Sequence, residues 1–225
     1  NYSATNVKII KKNNSFLTSF DLVENFEKKK ILKNFISPLL GDHNVKNILS
    51  SISVSRELKI PYPKIKKALK TFSGVKRRFT VLHKSKDNLI IDDYAHHPIE
   101  IKETLKSLKQ ITKKEIISIF EPHRFSRISA MMDNFIHSFK NSNQIFILAV
   151  FSAGERKINK IDSAFFYKRL KEKYTNKNIY LSEYDKFFFE KLKEKMTPGN
   201  NIIFLGAGLS SKIANKFNKF FKKKC

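Results

Sequence analysis

The chain has 225 residues, with 45 Lys or Arg against 20 Asp or Glu and a formal net charge of +25. That length allows one large domain or two modest ones with a sizeable core. The single cysteine, Cys225, is the last residue, so an intrachain disulfide and a C-x-x-C metal or redox site are excluded.

Residues 6 to 37 read as three short strands, around Val7 to Ile10, Phe16 to Leu22 and Ile31 to Ile36, separated by Lys/Asn-rich turns, an antiparallel meander. From His43 to Lys59, Val45, Ile48, Leu49, Ile52 and Leu58 approximate a stripe of helical period. Pro61 and Pro63 close that helix and open a second through Phe72. After Phe79 strands and helices alternate. Strands are expected near 79–83, 88–92, 115–120, 144–150, 178–181 and 201–205, and helices from about 98, 127, 162, 185 and 208. Such alternation predicts βαβ units, an α/β fold and a mainly parallel sheet. The final strand runs into Gly206-Ala207-Gly208. A lone G-x-G lacks the third glycine and the downstream acid of a dinucleotide site and reads as a tight strand-to-helix turn.

No apolar run approaches the ~20 residues of a membrane span, no signal peptide is visible, and a cytoplasmic protein is expected. The charge excess raises nucleic acid or an anionic membrane as partners. The lysines, however, spread over helix faces and loops rather than forming one stripe, and abundant Asn, Ile and Phe with no Trp point to AT-biased coding. Neither nucleic acid nor membrane is therefore an expected partner. Arginine is more selective. Only seven are present, and Arg77, Arg78, Arg124 and Arg127 fall within the motifs below, where a planar fork binds phosphate or carboxylate in a way lysine cannot copy.

Two loops carry the chemistry. Asp92-Asp93-Tyr94-Ala95-His96-His97-Pro98 follows Leu89-Ile90-Ile91, and Glu121-Pro122-His123-Arg124-Phe125-Ser126-Arg127 follows Ile116 to Phe120. Both therefore sit at the carboxyl ends of strands, where an open parallel sheet binds ligands. Their acids, histidines and arginines suit a site for ATP, a phosphorylated intermediate and a carboxylate. A metal hydrolase is the competing reading, since Asp92, Asp93, His96, His97 and His123 are ligand types. Only the Asp93 to His96 interval has useful spacing, and no H-x-H or H-E-x-x-H occurs.

These two runs, with Gly41-Asp42-His43-Asn44-Val45-Lys46-Asn47 and Gly74-Val75-Lys76-Arg77-Arg78-Phe79 upstream, resemble the Mur ligases of peptidoglycan synthesis. The order and spacing of four motifs carry the resemblance across essentially the whole chain. It implies a Rossmann-like C-terminal domain at 79–225, preceded at 1–78 by the C-terminal part of the central ATPase domain. It also implies ATP-driven amide formation through an acyl phosphate, with ATP, Mg²⁺, UDP-N-acetylmuramate and L-alanine as the small-molecule partners; the oligomeric state is open. The recycling branch of the family, which acts on murein peptide, shares the first run, but a different sequence replaces the second, so His123, Arg124 and Arg127 favour alanine addition.

By the same resemblance His43, Asn44 and Asn47 would face the adenine, Arg78 the phosphate or ribose, and Asp93 the ribose hydroxyls. Tyr94, His96, His123, Arg124 and Arg127 would line the end where alanine meets the acyl phosphate, with His96 and His123 as the catalytic pair and the arginines as the carboxylate clamp. His97 is left outside the site as a hydrogen-bonder at a proline turn. The family's P-loop, G-x-x-x-x-G-K-[ST], is absent from the chain, which begins with Asn1, so the chain reads as the C-terminal half of a longer polypeptide that would also supply most Mg²⁺ ligands. Phosphoryl transfer needs that lysine and metal to offset developing charge. Phosphate release from ATP with UDP-N-acetylmuramate and L-alanine should therefore stay at background for this chain alone, and robust turnover would refute the reading.

Overall fold

A computed structural model describes residues 1–12, 15–72, 74–185, 187–196 and 199–223; Cys225 lies outside the described residues. The chain divides into two compact units, Asn1–Val75 and Lys76–Cys225.

In the first unit β1 (Tyr2–Lys12), β2 (Ser15–Asn25) and β3 (Lys29–Ser37) form an antiparallel sheet in that order. The strands outrun their apolar stretches. Lys11 pairs with Phe16, Lys12 with Ser15 and Asn25 with Lys29, because the ladder is made by main-chain groups and tolerates polar side chains where they face solvent. Helices α1 (Asp42–Glu57) and α2 (Tyr62–Thr71) bury Val45, Ile48, Ile52 and Ile65 with Phe20, Leu22 and Phe35. Leu58, expected on the apolar stripe, is the C-cap of α1 and is exposed, because the chain turns away there.

The second unit is α/β. Its strands are β4 (Thr80–Lys84), β5 (Leu89–Asp93), β6 (Ile116–Phe120), β7 (Gln144–Ile147), β8 (Asn178–Leu181) and β9 (Asn201–Leu205), in the order β4-β5-β9-β6-β7-β8. Only β4 runs antiparallel to its neighbour. Successive side chains of a strand point to opposite faces, and here both faces are covered. Ile91, Phe120, Ile145 and Leu205 pack with α3 (Pro98–Ile111), α4 (Phe125–Ser138) and α5 (Ser163–Lys173). Ile90, Ile119, Phe146 and Phe204 pack with α6 (Phe188–Met196) and α7 (Ser210–Lys223). This two-sided burial explains why β5, β6 and β9 read as continuous apolar runs rather than alternating ones.

Two boundaries shifted for local reasons. β7 stops at Ile147, and beyond it Phe151 makes an isolated bridge to His123. The helix expected from 185 begins at Phe188, because Asp185 acts as its cap, with Oδ1 accepting from the N–H groups of Phe187 and Phe188. The decisive topological feature is β9, last in sequence but inserted between β5 and β6. Asp93 pairs with Leu205, which pairs with Phe120, so three strand exits lie side by side at one edge.

Candidate active site

The exit of β5 is fastened to the segment before β4. Asp93 is buried, and its Oδ1 and Oδ2 accept from the N–H groups of Ala95 and Phe79, each at 2.7 Å. Burial pushes its pKa up to about 6 against those two bonds and the charge of Arg78. Each oxygen thus holds one backbone N–H of the turn, and the carboxylate organises the loop. Arg77 completes the fastening. Its carbonyl accepts from Tyr94 N–H at 2.6 Å, its own N–H donates to Thr80 Oγ1 at 2.9 Å, and its guanidinium donates to the Gly206 carbonyl at 2.8 Å while lying 4.6 Å from the centre of the Tyr94 ring. Arg77 and Phe79 both have left-handed backbones, with φ of 63° and 51°, a strain that persists only where surrounding bonds over-determine it.

The exit of β6 is fastened to β9 by Glu121. This buried carboxylate accepts from the N–H groups of Gly208 (3.0 Å), Leu209 (2.9 Å) and Ser210 (3.1 Å), the unsatisfied donors at the start of α7. The Gly206-Ala207-Gly208 turn follows from that contact. A Cβ at Gly208 would lie 2.5 Å from the Phe151 ring and 2.8 Å from Glu121 Oε2. The helix N-terminus that a dinucleotide phosphate would need is already filled by a side chain.

Above these fastenings the expected residues form a chain of contacts. Arg78 lies 5.5 Å from the Tyr94 ring centre, Tyr94 and His96 rings are 5.0 Å apart, and His96 and His123 rings 5.3 Å apart. His123 stacks on Phe151 at 5.5 Å, and Arg127, in the first turn of α4, donates from Nη1 to His123 Nδ1 at 3.1 Å. His96 Nδ1 lies 2.9 Å from the Tyr94 carbonyl. Burial, with Arg127 and Arg78 nearby, holds the His96 pKa below the ordinary imidazole value against the pull of Tyr94 and Glu100. His123 is lowered likewise, by burial and then by His96, Arg127 and Arg124. Arg124 is exposed, with φ of 70° and its N–H bonded to the Phe151 carbonyl at 2.9 Å.

Three residues gain a structural role that their motifs do not state. Glu100 accepts from the His96 and His97 N–H groups at 3.1 and 3.3 Å and pairs with Arg78 at 3.1 Å. Burial raises its pKa, but these partners overcome burial and leave it lowered. Its position three residues after the N-cap His97, whose Nδ1 accepts from Ile99 N–H, is the capping-box spacing and could be read from sequence. Glu155 accepts from Ser126 N–H and Oγ at the start of α4, and Phe151 floors His123; neither carries a sequence signal. In the first unit, His43, Asn44 and Asn47 lie on the first turns of α1. Asn44 Nδ2 donates to the Leu40 carbonyl at 2.8 Å, and Asn47 Nδ2 reaches Asn44 Oδ1 at 3.5 Å. Among the described residues no cluster of three or more His, Cys, Asp or Glu is placed to hold a metal ion, and no helix is long and apolar enough to cross a membrane.

Three adjacent strand exits present arginines and imidazoles at one edge of a doubly covered, mainly parallel sheet, the architecture of an open α/β domain. Residues 77–208 match the family described as Mur ligase, glutamate ligase domain, and the chain belongs to that family. It is similar to the UDP-N-acetylmuramate–L-alanine ligase of Rickettsia bellii, 37% identical over 195 residues, which cover 85% of this chain and 41% of the relative. A ligase of the same name from Allorhizobium ampelinum is 36% identical over 78% of this chain and 37% of its own length. The chain thus spans about two fifths of the curated relatives it matches. The fold is shared with the crystal structure of a UDP-N-acetylmuramate–alanine ligase from Thermotoga maritima, with a TM-score of 0.74 and 22% identity over 100% of this chain and 46% of that one.

Two outcomes follow from the fastenings. Glu121→Gln turns an amide nitrogen toward backbone donors and should lower stability by about 1–3 kcal/mol, seen as a fall in the urea midpoint; an unchanged midpoint would remove Glu121 as the cap of α7. Asp93, with its pKa raised in the folded state, favours folding below about pH 4 and loses that contribution as pH rises through about 6. Relative to Asp93→Asn, the native protein should lose about 2–3 kcal/mol of unfolding free energy between acid and neutral pH, and a difference that is flat with pH would contradict this.

Proposed function

We propose that this chain is the C-terminal part of an ATP-dependent ligase that joins L-alanine to UDP-N-acetylmuramate in peptidoglycan synthesis. The supporting observation is the continuous contact of Tyr94, His96, His123 and Arg127 across neighbouring strand exits, together with the two relatives named for that activity. In this reading the first unit, to Val75, belongs to the central ATPase domain and the second, from Lys76, forms the last domain of a cytoplasmic enzyme, a boundary three residues before the 78/79 expected from the motifs.

The reaction phosphorylates the muramoyl carboxylate, and the alanine amine then displaces phosphate from the acyl carbon. Catalysis of such steps is largely positioning and charge stabilisation. His43, Asn44 and Asn47 take the adenine side, and Arg78 and Tyr94 the ribose and phosphate side. Asp93 acts there by holding Phe79 and Ala95 in place. His96 and His123 flank the reacting amine and acyl phosphate, and Arg124 and Arg127 hold the alanine carboxylate. Mg²⁺ would accompany the phosphates of ATP and neutralise their charge. The alternative, a recycling ligase that acts on murein peptide, is disfavoured by the His123-Arg124 and Arg127 run.

Arg127→Lys, in a ligase that carries this chain with its P-loop domain, keeps the charge but loses the aligned fork. The L-alanine KM should rise about tenfold, equivalent to ~1.4 kcal/mol, with the ATP KM little changed. A rise in the ATP KM instead would make Arg127 a phosphate ligand and leave Arg124 as the clamp.

A further inference from the structure

His96 and His123 differ in what their Nδ1 atoms touch, and this fixes their polarity. The partner of His96 Nδ1 is the Tyr94 carbonyl oxygen at 2.9 Å, with Glu100 Oε2 at 3.4 Å. Both partners only accept, so Nδ1 carries the proton and Nε2 of the neutral ring holds a lone pair. The partner of His123 Nδ1 is Arg127 Nη1 at 3.1 Å. A guanidinium only donates, so Nδ1 is the acceptor and the proton sits on Nε2. Among the described residues neither Nε2 has a hydrogen-bond partner, and the rings meet edge to face with centroids 5.3 Å apart and planes at 65°.

Resting on the function proposed above, we infer that the two rings form a split-tautomer pair, in which His96 Nε2 is the base for the incoming amine and His123 Nε2–H is a fixed donor to the acyl oxygen. The ammonium group of the amino acid gives one proton to His96 Nε2. The freed nitrogen lone pair forms the C–N bond while His123 donates a hydrogen bond to the oxygen on which charge builds. The C–O bond to phosphate then breaks, its electron pair leaves with phosphate, and a second amine proton leaves with that phosphate. The proton on His96 returns to solvent.

The surroundings keep both rings neutral at rest. His96 faces Tyr94, Glu100, Arg78, Arg127 and His123, and His123 faces His96, Arg127, Arg124 and Glu155, so cations outnumber carboxylates around each ring. Burial is the largest influence on His96, and the Tyr94 carbonyl and Glu100, both at Nδ1, oppose it. Arg127 has a second task here, since its bond to Nδ1 forbids protonation of that atom and thereby keeps the Nε2 proton pointed outward.

The tautomers can be read on this chain without any turnover. Long-range proton–nitrogen correlation of the imidazoles near neutral pH, assigned with His96→Gln and His123→Gln, should show His96 protonated on Nδ1 and His123 on Nε2. Arg127→Met should release His123 into a tautomer mixture and leave His96 unchanged, a selective response that general unfolding would not produce. Both rings in the same tautomer, or His123 charged near neutral pH, would overturn the inference. In the ligase that carries the P-loop domain, His96→Gln should lower kcat about 10²-fold or more and abolish the acid limb of the pH profile with the ATP KM unchanged, whereas His123→Gln should lower kcat and keep that limb. Full kcat and an intact acid limb in His96→Gln would remove the base role. Correct tautomers in a ligase inactive toward L-alanine would sink the substrate assignment instead and leave the pair standing.

Discussion

The carboxylate of Glu121 at the start of α7 is the contact on which the site's geometry depends. A helix N-terminus at the carboxyl edge of a parallel sheet presents unpaired N–H groups and a positive dipole end, ordinarily an anion site. Here a side chain from the neighbouring strand fills it permanently, with three N–H groups on one buried carboxylate. The β6 exit is thereby locked to the β9–α7 turn, and that turn must approach closely enough to exclude a Cβ at Gly208. Phe151 packs into the space the glycine leaves and supports the His123 ring. With those donors occupied, the free polar groups at this edge are side chains, the arginine forks and imidazoles of the two motif loops.

A second layer of fastening works through buried charge. Asp93 spends both oxygens on backbone donors, and Arg77 spends its guanidinium on Gly206 and on the Tyr94 ring. The strained left-handed backbones of Arg77 and Phe79 are held by these bonds. Burial also sets the protonation of the layer above. It lowers His96 and His123 and raises Asp93, while Glu100, tied to two N–H groups and Arg78, remains anionic. The result is a pair of imidazoles held below their ordinary pKa and bordered by permanent cations.

Local signals reported what local chemistry decides. Short apolar runs bounded by polar turns located β5, β6, β8 and β9 to within a residue, most clearly the inner strands β5, β6 and β9, which are buried along their whole length. Helical stripes and the prolines at 61, 63 and 98 marked α1, α2 and α3. Boundaries slipped where a cap or a bridge intervened, at Asp185 and at Phe151. The motif residues Arg78, Tyr94, His96, His123 and Arg127 were legible from their order, and the second unit brings all five together.

What the sequence by itself determined is the element order, the α/β class and the family, since each rests on periodicity, turn chemistry or motif spacing along one stretch of chain. Only the tertiary structure decided how those motifs are used. The insertion of β9 between β5 and β6 sets residues some ninety to one hundred and thirty positions apart within hydrogen-bond distance, as in Glu121 with Ser210 and Arg77 with Gly206. That adjacency gave the Gly206 to Gly208 turn its carboxylate, tied Arg77 to the Gly206 carbonyl and set His96, from the β5 exit, beside His123, from the β6 exit, because a hydrogen bond or ring contact depends on distance and direction in space and not on separation along the chain.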